Sequence, residues 1–535
     1  MRQWLTDHKE PVQYWPRPDH KEGLLDVFAS VRTRLNRDGL YQFSFFDDAT
    51  VVTSSAVGGG SMIYSNVTIR PEADSLARIN LQLGDPEYTA AQAWMADYRG
   101  PLNRIVTKIP LPGRDVSNLG ADDYLYLDRS RVLKEAAADT AQKLGIALAW
   151  APLDLSVIEY DPDRADKSAA AKNHTFCERQ GRCILGCLPA ARHTLNKSLW
   201  ARVLSDPASG VTLSPLSEVE HLRRAAGGGW EIEYRDHRSG DEHKVTAPVV
   251  FLAAGTLGTT KLLLRAQRDG LALSDRVGHG FSTNGDFGAF ALNTAKTVQS
   301  TRGPINTCHV AAQIDGTRLT VEDCGIPSMF AAIASVGLNV VDNMVKKRFF
   351  HGKLRLAWLT HTLPDLRDFL PHLPDTHDPS DARTEAETVA NIFFFNVMGQ
   401  DDARGTFTLD DDGDLELRWG QPIVEHPTFK KSDDLCRALT AAMGPDAHYV
   451  ALWDVLPHRR LTIPHPLGGC PLGPSRDEGA VDPLGRVFDG AGPTGTEVHE
   501  GLYAVDGSTI PGALAVNPTL TITAQALKAV TAAIP

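Results

Sequence analysis

The chain has 535 residues, 42% of them hydrophobic and 22% charged, with 45 Gly and 33 Pro; this is ordinary globular usage and excludes a collagenous, disordered or disulfide-stapled protein. At about 100–200 residues per domain the length gives two or three structural units. With 54 basic against 66 acidic residues, a net charge of −12, a surface built to neutralise nucleic-acid phosphates is not expected, and no apolar run reaches the roughly 18 residues that a spanning helix needs.

The opening residues, Met1-Arg2-Gln3-Trp4, carry no apolar stretch of the secretory kind, so the chain reads as cytoplasmic by default. The first informative segment is Gly58-Gly59-Gly60-Ser61, followed by Asn66. Three successive glycines permit positive φ and let the backbone approach a flat ligand closely. Next come Cys177, Cys183 and Cys187, in a chain with seven cysteines in all. Three thiolates leave a tetrahedral metal site open, with His174 and His193 nearby as fourth ligands; small buried thiols in a Gly-rich turn are the favoured reading, and no metal is assigned.

Residues 211–264 spell a meander. Strands are expected at Val219–Leu222, at Trp230–Tyr234 after the Gly227-Gly228-Gly229 turn, and at Val245–Leu252, the last continuously apolar as a strand buried on both faces should be. It runs into Ala254-Gly255 and a helix over Thr259–Leu264, where backbone N–H groups could meet an anionic or polar ligand. The run Gly278-His279-Gly280-Phe281-Ser282-Thr283-Asn284-Gly285-Asp286 follows. Between residues 328 and 361 apolar content is combined with Lys346, Lys347, Arg348, Lys353 and Arg355. That combination suits transient contact with a membrane surface, and still better a core-facing helix with a solvated basic face. Residues 371–388 read as an exposed connection, and the apolar Ile392-Phe393-Phe394-Phe395 as a buried strand or a pocket wall. A hairpin is expected at Thr406–Leu409 and Leu415–Trp419, its Asp-rich tip a solvated turn that lacks the ligand spacing of a calcium loop. The C-terminus then gives His465-Pro466-Leu467-Gly468-Gly469-Cys470, Asp506-Gly507-Ser508 and Asn517-Pro518.

With these segments in order, the sequence resembles the glucose–methanol–choline oxidoreductases, and within them the cholesterol-oxidase branch, from the glycine turn at 58 to the terminal helix. The resemblance implies an α/β fold: a discontinuous Rossmann-like FAD-binding domain and a substrate-binding domain built on a mixed sheet. Expected boundaries are 1–62, 206–296 and 478–535 for the FAD unit, with 63–205 and 297–477 for the substrate unit. It also implies FAD as cofactor and an alcohol, possibly a hydrophobic sterol, as the small-molecule partner. His465 and Asn517 match the family's catalytic pair. An imidazole can accept the hydroxyl proton while an amide N–H polarises the same oxygen. Gly58, Gly59, Gly60, Ser61, Asn66, Val219, Ala254, Gly255, Asp506 and Gly507 match cofactor-binding positions. A further carboxylate is proposed in some sterol-oxidising relatives; Glu322 is a candidate, a surface turn accounts for it equally, and it stays outside the assigned set.

The G-x-G-x-x-G strand–turn–helix that opens such flavoenzymes is not in this sequence. A chain beginning at Met1 is therefore expected to hold FAD poorly, and a longer gene product, with any export signal that preceded the missing unit, is the favoured explanation. The expected reaction is oxidation of a secondary alcohol to a ketone. The alternatives are a dehydrogenase of sugars or smaller alcohols with a quinone or cytochrome acceptor, and a catalytically silent scaffold. Nothing in the residues decides between oxidase and dehydrogenase, or sets the oligomeric state.

Overall fold

The structure, a computed structural model, describes residues 41–97, 127–153, 155–157, 177, 181–185, 187, 191–327, 389–455 and 460–534. The expectations for the opening residues, for His174, for the basic segment at 328–361 and for the connection at 371–388 lie outside the described residues.

A hairpin of β1 (Gln42–Phe45) and β2 (Ala49–Thr53) opens the described chain, and β3 (Leu148–Pro152) follows much later. The meander supplies β4 (Ser217–Arg224), β5 (Trp230–Asp236) and β6 (Glu242–Ala247), an antiparallel three-stranded sheet. The third expected strand is broken. Pro248, which has no N–H for a ladder, ends β6, and β7 (Val250–Leu252) leaves for another sheet. Only Leu252 of β7 is buried, so the expected burial on both faces is not met among the described residues. Then come β8 (Phe287–Leu292), β9 (Cys308–Ile314), β10 (Thr317–Cys324) and β11 (Phe393–Gly399). The expected hairpin is β12 (Thr406–Leu409) with β13 (Leu415–Arg418). The chain continues through β14 (His448–Ala451), β15 (Leu461–Ile463), β16 (Arg486–Phe488) and β17 (Val498–Ala504).

The main sheet has six strands in the order β14-β8-β11-β10-β9-β3. Each of its junctions among the described residues is antiparallel. Short returns such as Asp315-Gly316 between β9 and β10 explain this, because a parallel neighbour needs a long crossover. Among the described strands, parallel pairing joins β15 to β2 and β17 to β7.

Two amphipathic helices, α1 (Asp128–Leu144) and α2 (Pro427–Ala442), cover one face of the main sheet. Val132, Leu133 and Ala136 of α1 and Phe429, Leu435 and Leu439 of α2 bury against Val310, Val321, Phe395 and Val397. Strand residues alternate between faces, so Glu322, Asn396 and Phe394 point away from this core. Phe393 and Phe395 are core residues, and only Phe394 of that aromatic run is on the far face. That far face is where the site lies.

Candidate active site

Three residues of the Ser282–Asp286 run organise the site, each tied to a different part of the chain. Leu467 and Ser282 exchange backbone hydrogen bonds of 2.9 and 3.1 Å, which lays the segment after β15 antiparallel to the run. Four residues on from Ser282 and two back from Leu467, Asp286 then meets His465. Its Oδ2 accepts from the His465 backbone N–H at 2.8 Å and its Oδ1 lies 2.7 Å from His465 Nδ1. Asn284 grips the segment that leads to Asn517. Its Oδ1 accepts from Leu514 N at 2.8 Å and Ala515 N at 3.1 Å, and its Nδ2 donates to Val516 O at 2.9 Å. Ser282 and Thr283 are anchored on the buried Asp401. Gly285, with φ of 64°, has to be glycine, because a Cβ there would meet Gly399 O at 2.3 Å.

The result is that His465 Nε2 and Asn517 Nδ2 lie 3.5 Å apart, long for a hydrogen bond and open to a shared third oxygen. Asn517 Oδ1 has no partner among the described residues. The expected catalytic pair is thus brought together in space. Burial pulls the His465 pKa down, but the Asp286 carboxylate, with Glu322 adding to it, overrides this and leaves it above its ordinary value. Asp286 itself is raised, by burial first, against the opposing pull of His465.

Glu322 is not on a surface turn. It is a fully buried residue of β10, paired in register with His309 of β9 and Asn396 of β11. Its Oε2 accepts from Asn306 Nδ2 at 2.8 Å and from Asn396 Nδ2 at 3.0 Å, while Oε1 has no partner among the described residues. Burial raises its pKa to about 7, with Asn396, His465 and Asn517 pulling the other way and Asp323 adding to the rise. Burial likewise drives His309 down to about 4. Beside this polar row, Phe290 and Phe394 stack with ring centroids 4.6 Å apart, giving the same face an aromatic floor.

The Asn306 arm is fixed from the core side. Arg129 of α1 donates from Nε to Asp323 Oδ2 at 2.8 Å, with both side chains buried, and its other nitrogens bond carbonyls of Arg302, Pro304 and Ile305. Asp323 also accepts from the Thr307 and Cys308 N–H groups at 2.6 and 2.8 Å.

The expected cofactor residues fall in two groups and one outlier. Gly58, Gly59, Gly60 and Ser61 form a turn that leads to Asn66. Arg192 holds this turn through Met62 O and Tyr64 O, and Ser61 Oγ accepts from Leu195 N. A Cβ at Gly59 or Gly60 would meet nothing within 4 Å, so the turn faces open space. Asn66 is fully buried in the left-handed region with no hydrogen bond from either amide atom, its polar neighbour being the Cys183 thiol. Open glycines beside an unsatisfied buried amide fit a flat, polar-edged group such as a flavin. Cys183, its pKa raised by burial, packs on Ile305 and Cys324 and so joins this turn to the Glu322 strand. No three His, Cys, Asp or Glu side chains among the described residues are placed to hold a metal ion.

Ala254, Gly255, Asp506 and Gly507 make the second group. The helix α3 (Gly255–Arg268) begins there, longer at both ends than expected. Its first N–H is already taken: Asp506 Oδ2 accepts from Gly255 N at 2.8 Å and from Thr259 Oγ1 at 2.5 Å, and Ala254 N donates to Thr259 Oγ1. The anion at this helix start is the protein's own carboxylate. Gly507 O accepts from Gly468 N, and Thr256 Oγ1 donates to Pro466 O, so this group adjoins the His465 loop. Val219 is the outlier, exposed on β4 in the separate three-stranded sheet, which packs on α3.

Asp286, Asn284, Asn306 and Asn396 were not assigned from sequence. The Asn284-Gly285 pair is a turn signal that marks the run, but the partners of its side chains depend on cross-chain register.

A family model described as GMC oxidoreductase matches residues 417–526. The chain is similar to a cholesterol oxidase of Mycobacterium tuberculosis, 26% identical over 524 residues that cover 93% of this chain and 81% of the relative. A cholesterol oxidase of Acinetobacter baumannii is 22% identical, with 92% and 83% covered. Among solved structures, pyridoxine 4-oxidase from Mesorbium loti matches with a TM-score of 0.54 at 14% identity, over 90% of this chain and 85% of that one, which is a likeness of fold.

Proposed function

From the premise that this chain belongs to the GMC oxidoreductases, we propose that it oxidises a secondary alcohol to a ketone with FAD, and that its substrate is bulky and sterol-like. The observation that carries the reading is the convergence of His465 Nε2 and Asn517 Nδ2 at 3.5 Å, with His465 Nδ1 backed by Asp286.

A hydroxyl lying between them donates its proton to Nε2 and accepts from the Asn517 amide, which holds the oxygen and draws charge off it as the carbonyl forms. Glu322 is the third polar group. Its unpartnered Oε1 and a pKa near neutrality suit it to take or return a proton at the substrate. Bound FAD would supply the two-electron acceptor for the carbinol hydride. Gly58, Gly59, Gly60, Ser61 and Asn66 would line one side of it, and Gly255 and Gly507 would bring backbone to the other. The Phe290–Phe394 stack supports an apolar substrate body, as does similarity to two proteins named cholesterol oxidase.

The test uses the protein with flavin bound, mixed anaerobically with a panel of 3-hydroxysterols, sugars and short alcohols while flavin absorbance is followed. Sterol-dependent bleaching that is lost in His465→Gln supports the proposal. Bleaching by sugars alone moves the substrate class, and no bleaching by any alcohol supports a silent scaffold. Peroxide release in air separates oxidase from dehydrogenase.

A further inference from the structure

The two oxygens of Asp286 are both spent on His465, one on a group that can only donate and one on a group that can do either. The backbone N–H of His465 is a permanent donor, and Asp286 Oδ2 accepts it at 2.8 Å. The second oxygen, 2.7 Å from Nδ1, is therefore not free to turn away. An ionised carboxylate is an acceptor at both oxygens, so the neutral ring carries its proton on Nδ1 and presents a bare lone pair at Nε2. That is the atom facing Asn517.

We propose that Asp286 is the positioning residue of the site: it fixes the tautomer and orientation of His465 that make Nε2 the proton acceptor. This deepens the function proposed above and rests on it. In the step served, the alcohol O–H bond breaks with its proton passing to Nε2, the carbon–oxygen double bond forms, and the hydride leaves for the flavin; the imidazolium then holds one N–H to Asp286 and one to the new carbonyl.

The same geometry makes Asp286→Asn a sharp perturbation. The backbone N–H of His465 must still be accepted, so the amide oxygen takes the Oδ2 place. The NH2 group is then left opposite Nδ1. That nitrogen has to become an acceptor, and the ring proton moves to Nε2 with almost no change of shape.

Protein labelled with 15N-histidine, with flavin bound, is compared by solid-state 15N spectroscopy at a pH where the ring is neutral, the His465 signal being assigned by difference against His465→Gln. The expected wild-type spectrum has Nδ1 protonated and Nε2 bare, and Asp286→Asn exchanges them. Anaerobic flavin reduction in Asp286→Asn falls about a hundred- to ten-thousand-fold with little change in KM. A wild-type ring protonated on Nε2 overturns the proposal without any variant having to fold, as does a folded Asp286→Asn that keeps both the wild-type spectrum and the wild-type rate. If His465→Gln reduces flavin at the wild-type rate, the catalytic assignment fails, while the spectrum still decides the tautomer.

Discussion

Glu322 gives the most direct quantitative test, through Glu322→Gln. A carboxyl raised from 4.5 to about 7 holds, in the native state, a proton that the unfolded chain releases between those two values. Stability must therefore fall as pH climbs through that window. The shift corresponds to about 3 kcal/mol at pH 8. Glutamine keeps the shape and, with its amide oxygen in the Oε2 place, keeps the bonds from Asn306 and Asn396, while its NH2 occupies the place of the unpartnered Oε1. His465 and Asp286, also raised, push stability the same way in both proteins, but the part of the His465 rise that Glu322 supplies is lost in the variant, so the difference reads Glu322 together with its coupling to His465. The measurement is thermal unfolding of both forms at one scan rate from pH 5 to 8. Glu322→Gln is expected to match the wild type at pH 5 and to melt higher at pH 8 by several degrees, at about 2 °C per kcal/mol. Parallel curves over the whole range, or a variant that melts lower at pH 8, would refute the burial argument.

Two further substitutions test the supports of the site. Asn284→Ala removes the bonds to residues 514–516 and strands two buried N–H groups, a cost of about 3–5 kcal/mol; it should lower the melting temperature and slow flavin reduction through the loosened Asn517, and an unchanged rate would break that link. Arg129→Met leaves Asp323 charged and buried, a loss of about 3–5 kcal/mol by denaturant unfolding. Adding Asp323→Asn should restore only part of it, since the same carboxylate holds the amides of Thr307 and Cys308.

Much of the site was legible where the chemistry is local. The glycine turn, the helix after Gly255, the Asp-rich hairpin and the His465 and Asn517 motifs each announce themselves within a few residues. The readings that needed correction were decided by distant partners. Glu322 sits in a run that ends in Gly325-Ile326-Pro327, which reads as a turn, and only pairing with His309 and Asn396 turns its side chain into the site. Asp506 matches a cofactor-binding position in the sequence, and only the fold shows that its side chain also serves the start of α3, some 250 residues earlier. The strand expected over 245–252 followed the apolar pattern through Pro248, where the missing N–H outweighs hydrophobicity.

The alternate residues Ser282, Asn284 and Asp286 also dictate when the site can exist. Their partners are Asp401, residues 514–516 and His465, so the meeting of His465 with Asn517 depends on contacts between segments far apart in sequence. Closing such distant loops is entropically slow. During refolding, helices and hairpins are expected within the early phases, while the His465 tautomer is set only in the last one, when the C-terminal segments dock. Recovery of catalysis should accordingly lag recovery of secondary structure, which makes activity a reporter of completed topology.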